Sequence, residues 1–365
     1  MSRAPLEKEI RRLITVAGPM PVARYMALCL AHPQYGYYTT RDPFGAGGDF
    51  TTAPEISQIF GELLGLWALS VWRMLGEPEE VRLVELGPGR GTMMRDALRA
   101  AKVLQKFRSA LSVHLVEISP TLEQAQRETL ADVEAPVSWH RHLLDVPEGP
   151  TIILANEYID ALPVHQVVKQ DAGWHERVIG LNDKGEFSLG LAPDPVPQFD
   201  RFLPRKIKDA PIGSVFEWRD DLHALDIARR VVKDGAALII DYGHTQSDVG
   251  ETLQSINGHA FADPLSAPGL IDITAHVDFF ILGQAAESLG ASVQGPVTQA
   301  RFLRDLGVEA RADALLRNAT PEQAETVTSG VARLTESGKT GMGDLFKVMA
   351  ICDPKLGPLP GLVSE

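Results

Sequence analysis

Val81-Arg82-Leu83-Val84-Glu85-Leu86-Gly87-Pro88-Gly89-Arg90-Gly91-Thr92 is the stretch whose reading decides the fold. An apolar run carries one acid near its end, three glycines follow at alternate positions, and a helical pattern begins at once. A buried parallel strand turning sharply into a helix reads this way. Glycine belongs where the backbone turns left-handed or must pass close to a ligand. The dinucleotide fingerprint G-x-G-x-x-G puts its third glycine at position 92, where this chain has Thr92. The turn therefore departs from the pattern that aims a helix N-terminus at a pyrophosphate.

Working outward, apolar runs alternate with helical periodicities. Strands are expected at 81–86, 113–117, 137–140, 151–155, 213–218 and 236–241, helices at 91–107, 120–131 and 220–233, and a last strand within 343–351. That alternation predicts an α/β fold, a mostly parallel sheet with helices on both faces. Ligands of such sheets bind at the carboxyl ends of the strands. Glu85, Glu117 and Asp145 close the first three strands and Asn156 follows the fourth, so all are expected along one edge.

The pattern E-x-G-x-G-x-G resembles motif I of class I S-adenosylmethionine methyltransferases. That cofactor carries no phosphate. It needs backbone room for its methionine part, and carboxylates for its ammonium and ribose hydroxyls. On this reading Glu85, Gly87, Gly89, Gly91, Thr92, Glu117, Asp145 and Asn156 form the cofactor seat. Glu117 would bind the ribose hydroxyls, and Asp145 would lie beside the adenine amino group.

The remaining segments read as additions to this core. Residues 1–75 form an N-terminal helical region broken at Gly18-Pro19 and containing a loop rich in glycine and tyrosine. Its last helix repeats apolar residues from Ile56 to Leu75, with Thr52 and Glu55 in capping-box positions. Core segments are expected at 76–161 and 206–243, with a β-rich insertion at 162–205 around the turn Asn182-Asp183-Lys184-Gly185. Residues 244–342 hold a long loop, placed near substrate, and then a helical insertion, before the final core strand at 343–352.

Composition narrows the function classes. A formal charge of −13 disfavours a nucleic-acid binder, which needs a basic face. Two cysteines, Cys29 and Cys352, make no disulfide framework and suit a reducing compartment. Histidine and cysteine spacings match no metal motif, so no metal is expected. No apolar run reaches the ~18 residues of a membrane span. The charged N-terminus lacks the apolar region of a signal peptide, and its glutamates argue against a transit peptide.

Several further stretches coincide with a known family: Tyr35-Gly36-Tyr37-Tyr38, Gly48-Asp49-Phe50-Thr51-Thr52-Ala53-Pro54-Glu55-Ile56-Ser57, Ala155-Asn156-Glu157-Tyr158-Ile159-Asp160-Ala161-Leu162-Pro163-Val164 and Asp272-Ile273-Thr274-Ala275-His276-Val277-Asp278-Phe279. With the glycine stretch they resemble the family of the mitochondrial complex I assembly methyltransferase and its bacterial MidA-like relatives, over residues 6–352. The resemblance implies a class I methyltransferase using S-adenosyl-L-methionine and releasing S-adenosyl-L-homocysteine. It also implies, as acceptor, an arginine on a core subunit of NADH:ubiquinone oxidoreductase, and a setting in bacterial cytoplasm or the mitochondrial matrix. One departure is Gln254, where relatives tend to carry a basic residue.

An arginine acceptor sets a chemical problem, because guanidinium stays protonated and is a poor nucleophile. The site needs carboxylates that bind the fork, orient one nitrogen and accept a proton. Glu157 and Asp160, just after the fourth strand, are the candidates, Glu157 orienting and Asp160 supporting. Tyr37 and Asp49 are candidates for a lid over the cleft. His165 is a candidate proton shuttle, and Asp272 and His276 are candidates for its acceptor wall. Two other readings stay open on the residues alone. One is a methyltransferase for a small molecule or another side chain, and the other is a chaperone that binds the cofactor without turnover.

Overall fold

The computed structural model describes residues 4–41, 52–201, 203–257, 260–338 and 341–363. Two helices open the chain, α1 (Pro5–Ala17) and α2 (Val22–Ala31). The long apolar helix α3 follows at Gln58–Met74. The core then runs β1 (Val81–Leu86), α4 (Thr92–Ala101), α5 (Gln105–Ala110), β2 (Leu111–Val116), α6 (Pro120–Thr129), β3 (Val137–His140) and β4 (Thr151–Asn156). The expected helix over 91–107 is two helices, with a break near Lys102.

The insertion supplies β5 (His165–Gln170), β6 (Gly173–Leu181), β7 (Phe187–Pro195) and β8 (Val215–Trp218). The core resumes with α7 (Leu222–Val231) and β9 (Gly235–His244). The long loop folds β10 (Gln254–Asn257), β11 (Ala260–Ala262) and β12 (Asp272–Thr274). Then come α8 (Phe279–Glu287), β13 (Ser292–Thr298), α9 (Gln299–Asp305), α10 (Val308–Leu316), α11 (Pro321–Thr335) and β14 (Phe346–Cys352).

The main sheet has the order β13-β14-β9-β4-β1-β2-β3. Strands β9, β4, β1, β2 and β3 are mutually parallel, and β14 runs antiparallel between β9 and β13. The chain order reverses between β1 and β4, so a crevice opens at their carboxyl ends. One face packs on Ile59, Phe60, Leu63, Trp67 and Trp72 of α3 and on α4. The other packs on α7 and α8 through Ile227, Val231, Phe279 and Ala286.

Helix α3 lies very close to α4. A Cβ on Gly65 would sit 2.3 Å from the Ala97 carbonyl oxygen, so only glycine permits this approach. The contact fixes α4, and with it the glycine turn that feeds it.

Three sequence expectations give way. Strand 215–218 does not join the main sheet: β8 pairs antiparallel with β5 in a second sheet. The insertion therefore extends past residue 205. Residues 292–298 form β13 at the sheet edge, although Gly295-Pro296 hides any strand pattern. The capping box also fails. Ser57 caps α3 by accepting from the Ile59 N–H at 3.3 Å, and Glu55 is free for another partner.

Candidate functional site

All three glycines of the turn are left-handed, with φ of +62° at Gly87, +53° at Gly89 and +80° at Gly91. At Gly87 an added Cβ would also meet the Tyr158 ring at 3.0 Å. Such a turn leaves backbone exposed to a crevice with no side chain in the way. That crevice is a cleft of about 1050 Å³. Gly87, Gly89, Glu117 and Leu122 line one end, and Tyr38, Asp160, Tyr242, Asp272 and His276 line the other, with Glu157 in the cleft wall. A smaller cavity adjoins it, lined by Glu55, Glu85, Gly87, Gly89, Thr92, Asn156 and Glu157.

Glu85 is 2% exposed, and its Oε2 has no hydrogen-bond partner. Burial, and then repulsion from Glu117, hold its carboxyl well above the usual range. An orphaned buried carboxylate oxygen is costly unless a ligand donates to it. Asn156 Oδ1 is orphaned too, and its Nδ2 donates to Glu157 Oε1 at 3.0 Å. Thr92 Oγ1 donates to Glu55 Oε1 at 2.6 Å, tying the one-turn helix Ala53–Ile56 to the start of α4.

Glu117 is held by two donors. Its Oε1 accepts from the Ser119 N–H at 2.7 Å, and its Oε2 from Gln126 Nε2 at 3.0 Å. Gln126, which the sequence did not single out, also donates to the Gly89 carbonyl at 2.8 Å and is fixed by Trp139 Nε1 at 3.0 Å. A cofactor with an ammonium and a ribose fits this end. Glu85 and Asn156 would face the ammonium group, the bare backbone of the glycine turn would follow the methionine chain, and Glu117 would take the hydroxyls.

In the wall shared by the cleft and the smaller cavity, Glu157 sits at φ +51°, a strained setting for a side-chain-bearing residue. Its N–H is anchored on the Ile240 carbonyl at 2.9 Å, and its Oε1 accepts from the Ala53 N–H at 3.4 Å. Burial, with repulsion from Asp160, lifts its carboxyl to about 7. Asp160 is buried, and its Oδ1 has no hydrogen-bond partner. Burial raises this carboxyl as well.

Asp241, the next strand-end acid on β9, grips the turn that bears them. Its Oδ2 accepts from the Ile159 and Asp160 N–H groups at 2.9 and 3.1 Å. Sequence reasoning passed over Asp241, although it ends an apolar strand in the manner of Glu85.

The remaining candidates divide. Asp272 is buried in the cleft wall, its Oδ2 accepting from Tyr38 Oη at 3.0 Å. His276 lines the cleft edge-on to Tyr242, and burial lowers its imidazolium. Tyr37 does not reach the cleft: it is fully buried among α1 and α2, and its neighbour Tyr38 takes the lining position. His165 stacks on Trp218 and bonds Glu176 at 3.3 Å, inside the insertion sheet and away from the cleft. Asp145 is exposed. Its Oδ2 accepts from the His142 N–H at 3.0 Å in a single 3-10 turn, and it lines neither cavity. Asp49 lies outside the described residues. Among the described residues, no group of three or more His, Cys, Asp or Glu could hold a metal ion, and no helix is long and apolar enough to cross a membrane.

A doubly covered sheet of this order, with a glycine turn and strand-end acids at its switch point, defines a nucleoside-cofactor transferase of the class I methyltransferase kind. Residues 63–297 match the S-adenosyl-L-methionine-dependent methyltransferase family, and the chain belongs to it. Among curated relatives, the mitochondrial protein arginine methyltransferase NDUFAF7 homolog of Drosophila melanogaster is 40% identical, over 95% of this chain and 84% of that protein. The Homo sapiens protein of that name is 35% identical over 95% and 83%. A crystal structure from Burkholderia thailandensis bound to S-adenosyl-homocysteine superposes with TM-score 0.86 at 30% identity, covering 99% of this chain and 97% of that one.

Proposed function

We propose that the chain is a protein arginine methyltransferase whose acceptor is a subunit of NADH:ubiquinone oxidoreductase, and that Glu157 and Asp160 hold the acceptor guanidinium. The observation that carries this reading is the pair of carboxyls after β4. One has an unpartnered buried oxygen and the other is lifted to about 7, in a cleft shared with the glycine turn. A planar cation with five donors suits such a pair. The names of the relatives point the same way.

When bound, S-adenosyl-L-methionine supplies an electrophilic methyl group on a sulfonium. Glu85, Asn156, Glu117 and the glycine turn bind it; Glu157 and Asp160 bind the guanidinium and direct one nitrogen into the cleft. Glu157, ionised above its raised midpoint, takes the proton that this nitrogen releases as it is alkylated. Asp272 and Tyr38 close the acceptor side and help exclude water. The mitochondrial relatives and the two buried free cysteines, Cys29 and Cys352, support a reducing setting, the matrix or a bacterial cytoplasm.

The test is to incubate the protein with methyl-labelled S-adenosyl-L-methionine and an extract of cells lacking it, and then to hydrolyse the protein fraction. Labelled methylarginine, traced by mass spectrometry to a subunit of the oxidoreductase, is expected. Label found only in small metabolites overturns the reading, and binding without any turnover leaves a cofactor-binding chaperone instead.

A further inference from the structure

Strand β8 was expected in the main sheet and belongs instead to the insertion, which leaves its polar residues without a core role. Glu217 lies within β8, and Arg219 directly follows its last residue, Trp218. Glu217 accepts from the Thr252 N–H with both oxygens at 3.1 Å, and from the Leu253 N–H at 3.3 Å. Thr252 Oγ1 in turn accepts from the His276 N–H at 2.9 Å.

Arg219 does more. Its Nε donates to the Leu162 carbonyl at 3.1 Å and its Nη1 to the His276 carbonyl at 2.7 Å. Its Nη2 donates to the Asp160 and Ala275 carbonyls at 3.1 and 2.6 Å. The Ala275 N–H closes the ring on the Asp160 carbonyl at 3.2 Å. One planar fork thus staples the turn that bears Glu157 and Asp160 to the segment that bears Asp272 and His276. Its charge also faces Asp241, Asp160 and Glu217, with Tyr242 beside them.

We propose that Arg219 is a positioning residue for methyl transfer, holding the acid-bearing turn and the opposite cleft wall in the register in which their carboxylates converge on one acceptor. The proposal rests on the reading that this turn binds the acceptor. A lysine could supply the charge, but as a point cation it cannot make the four-carbonyl staple. A misplacement of about 1 Å at a reacting pair costs on the order of 100-fold in rate.

The experiment compares Arg219→Met and Arg219→Lys with the parent chain. It measures S-adenosyl-L-homocysteine affinity by calorimetry, and the kcat and the KM for S-adenosyl-L-methionine of label incorporation into the extract described above. For Arg219→Met, incorporation is expected to fall about 100-fold, with S-adenosyl-L-homocysteine affinity within about two-fold and the loss carried by kcat rather than by the KM for S-adenosyl-L-methionine. Arg219→Lys, which keeps the charge but not the four-carbonyl staple, is expected to leave kcat low as well. A rate within about three-fold of the parent in Arg219→Met, or a loss that lies in KM alone, overturns the proposal. Loss of S-adenosyl-L-homocysteine binding in both variants also overturns it, because Arg219 would then be a general folding residue. Should Arg219→Met not fold, Arg219→Lys decides: a parental rate overturns the proposal, and a low rate with intact binding supports it. Failure of the underlying reading shows separately, as undiminished incorporation by Glu157→Gln.

Discussion

The end of the cleft proposed to seat the methyl donor and the end proposed to take the acceptor are built in different ways. The donor end is local. Glu85, the glycine turn and Thr92 lie within one strand-turn-helix, and Glu117 with Gln126 within the next. The acceptor end is assembled at long range. Glu157 and Asp160 come from the end of β4, Asp241 from β9, Tyr38 from the N-terminal region, Asp272 and His276 from the late loop, and Arg219 from the insertion. Helices α1 and α2 share one apolar cluster with Val164, Ile179, Ile273 and Ala275, so region, insertion and loop form a single roof. A local site can be copied between enzymes with little change. A roof assembled from additions is where one family member can come to differ from another in what it methylates.

The sharpest way to break this division is Glu157→Gln, which keeps size and hydrogen bonding but removes the base. Label incorporation is expected to fall by about 10²–10⁴-fold, while S-adenosyl-L-homocysteine affinity measured by calorimetry stays close to the parent. Unchanged turnover would take Glu157 out of the mechanism. The substitution has a second consequence. A carboxyl whose folded midpoint is raised contributes stability at low pH and loses it as pH rises through the folded value of about 7. Glu157→Gln is therefore expected to raise Tm at pH 8 and to change it little at pH 4.

Gly87→Val attacks the other end. The left-handed φ of +62° and the Tyr158 ring 3.0 Å from any Cβ leave no place for a branched side chain. Affinity for S-adenosyl-L-homocysteine is expected to drop by about 100-fold, from strain of a few kcal/mol. Normal affinity would mean that the turn does not face the cofactor.

What was legible in the sequence follows the same division. The main strands, and the placement of Glu85 and Glu117 along the cavities, were readable because a strand, its turn and its end lie together in sequence. Legibility failed where a partner was distant. Thr52 and Glu55 have the spacing of a capping box, but Thr92 offered Glu55 a stronger partner. Tyr37 and Tyr38 are adjacent, and no local rule says which of them meets Asp272. β8 has an ordinary strand pattern, and only its pairing with β5 shows which sheet it joins. β13 was hidden because Gly295-Pro296 breaks its pattern. Arg219 is one arginine among many until its four carbonyl partners are seen.

The raised midpoint of Glu157 makes a smaller and graded prediction. On the proposed mechanism, a Glu157 carboxyl protonated below about pH 7 cannot take the acceptor's proton. Incorporation should fall about ten-fold per pH unit on that side and level off above it. The limb belongs to Glu157 only if Glu157→Gln removes it from the residual activity. If the limb persists, it reports Asp160 or another group of the acceptor end.

The smallest expected effect separates two acids that the sequence treated alike. Both were expected to close strands at one sheet edge, but Glu117 directly follows β2 whereas Asp145 lies in the 3-10 turn Leu143–Asp145 beyond β3. Glu117 turns its carboxylate into the cleft, backed by Ser119 and Gln126. Asp145 turns back onto its own 3-10 turn and meets solvent. A charge-assisted bond to a ligand hydroxyl is worth roughly 1.5–3 kcal/mol. Glu117→Gln should therefore weaken S-adenosyl-L-homocysteine binding by about ten-fold or more. Asp145→Ala should change it by less than about two-fold, as surface substitutions do. Equal losses in the two variants would mean that the β3 end closes over the adenine when the cofactor binds, and that Asp145 leaves its turn to meet it.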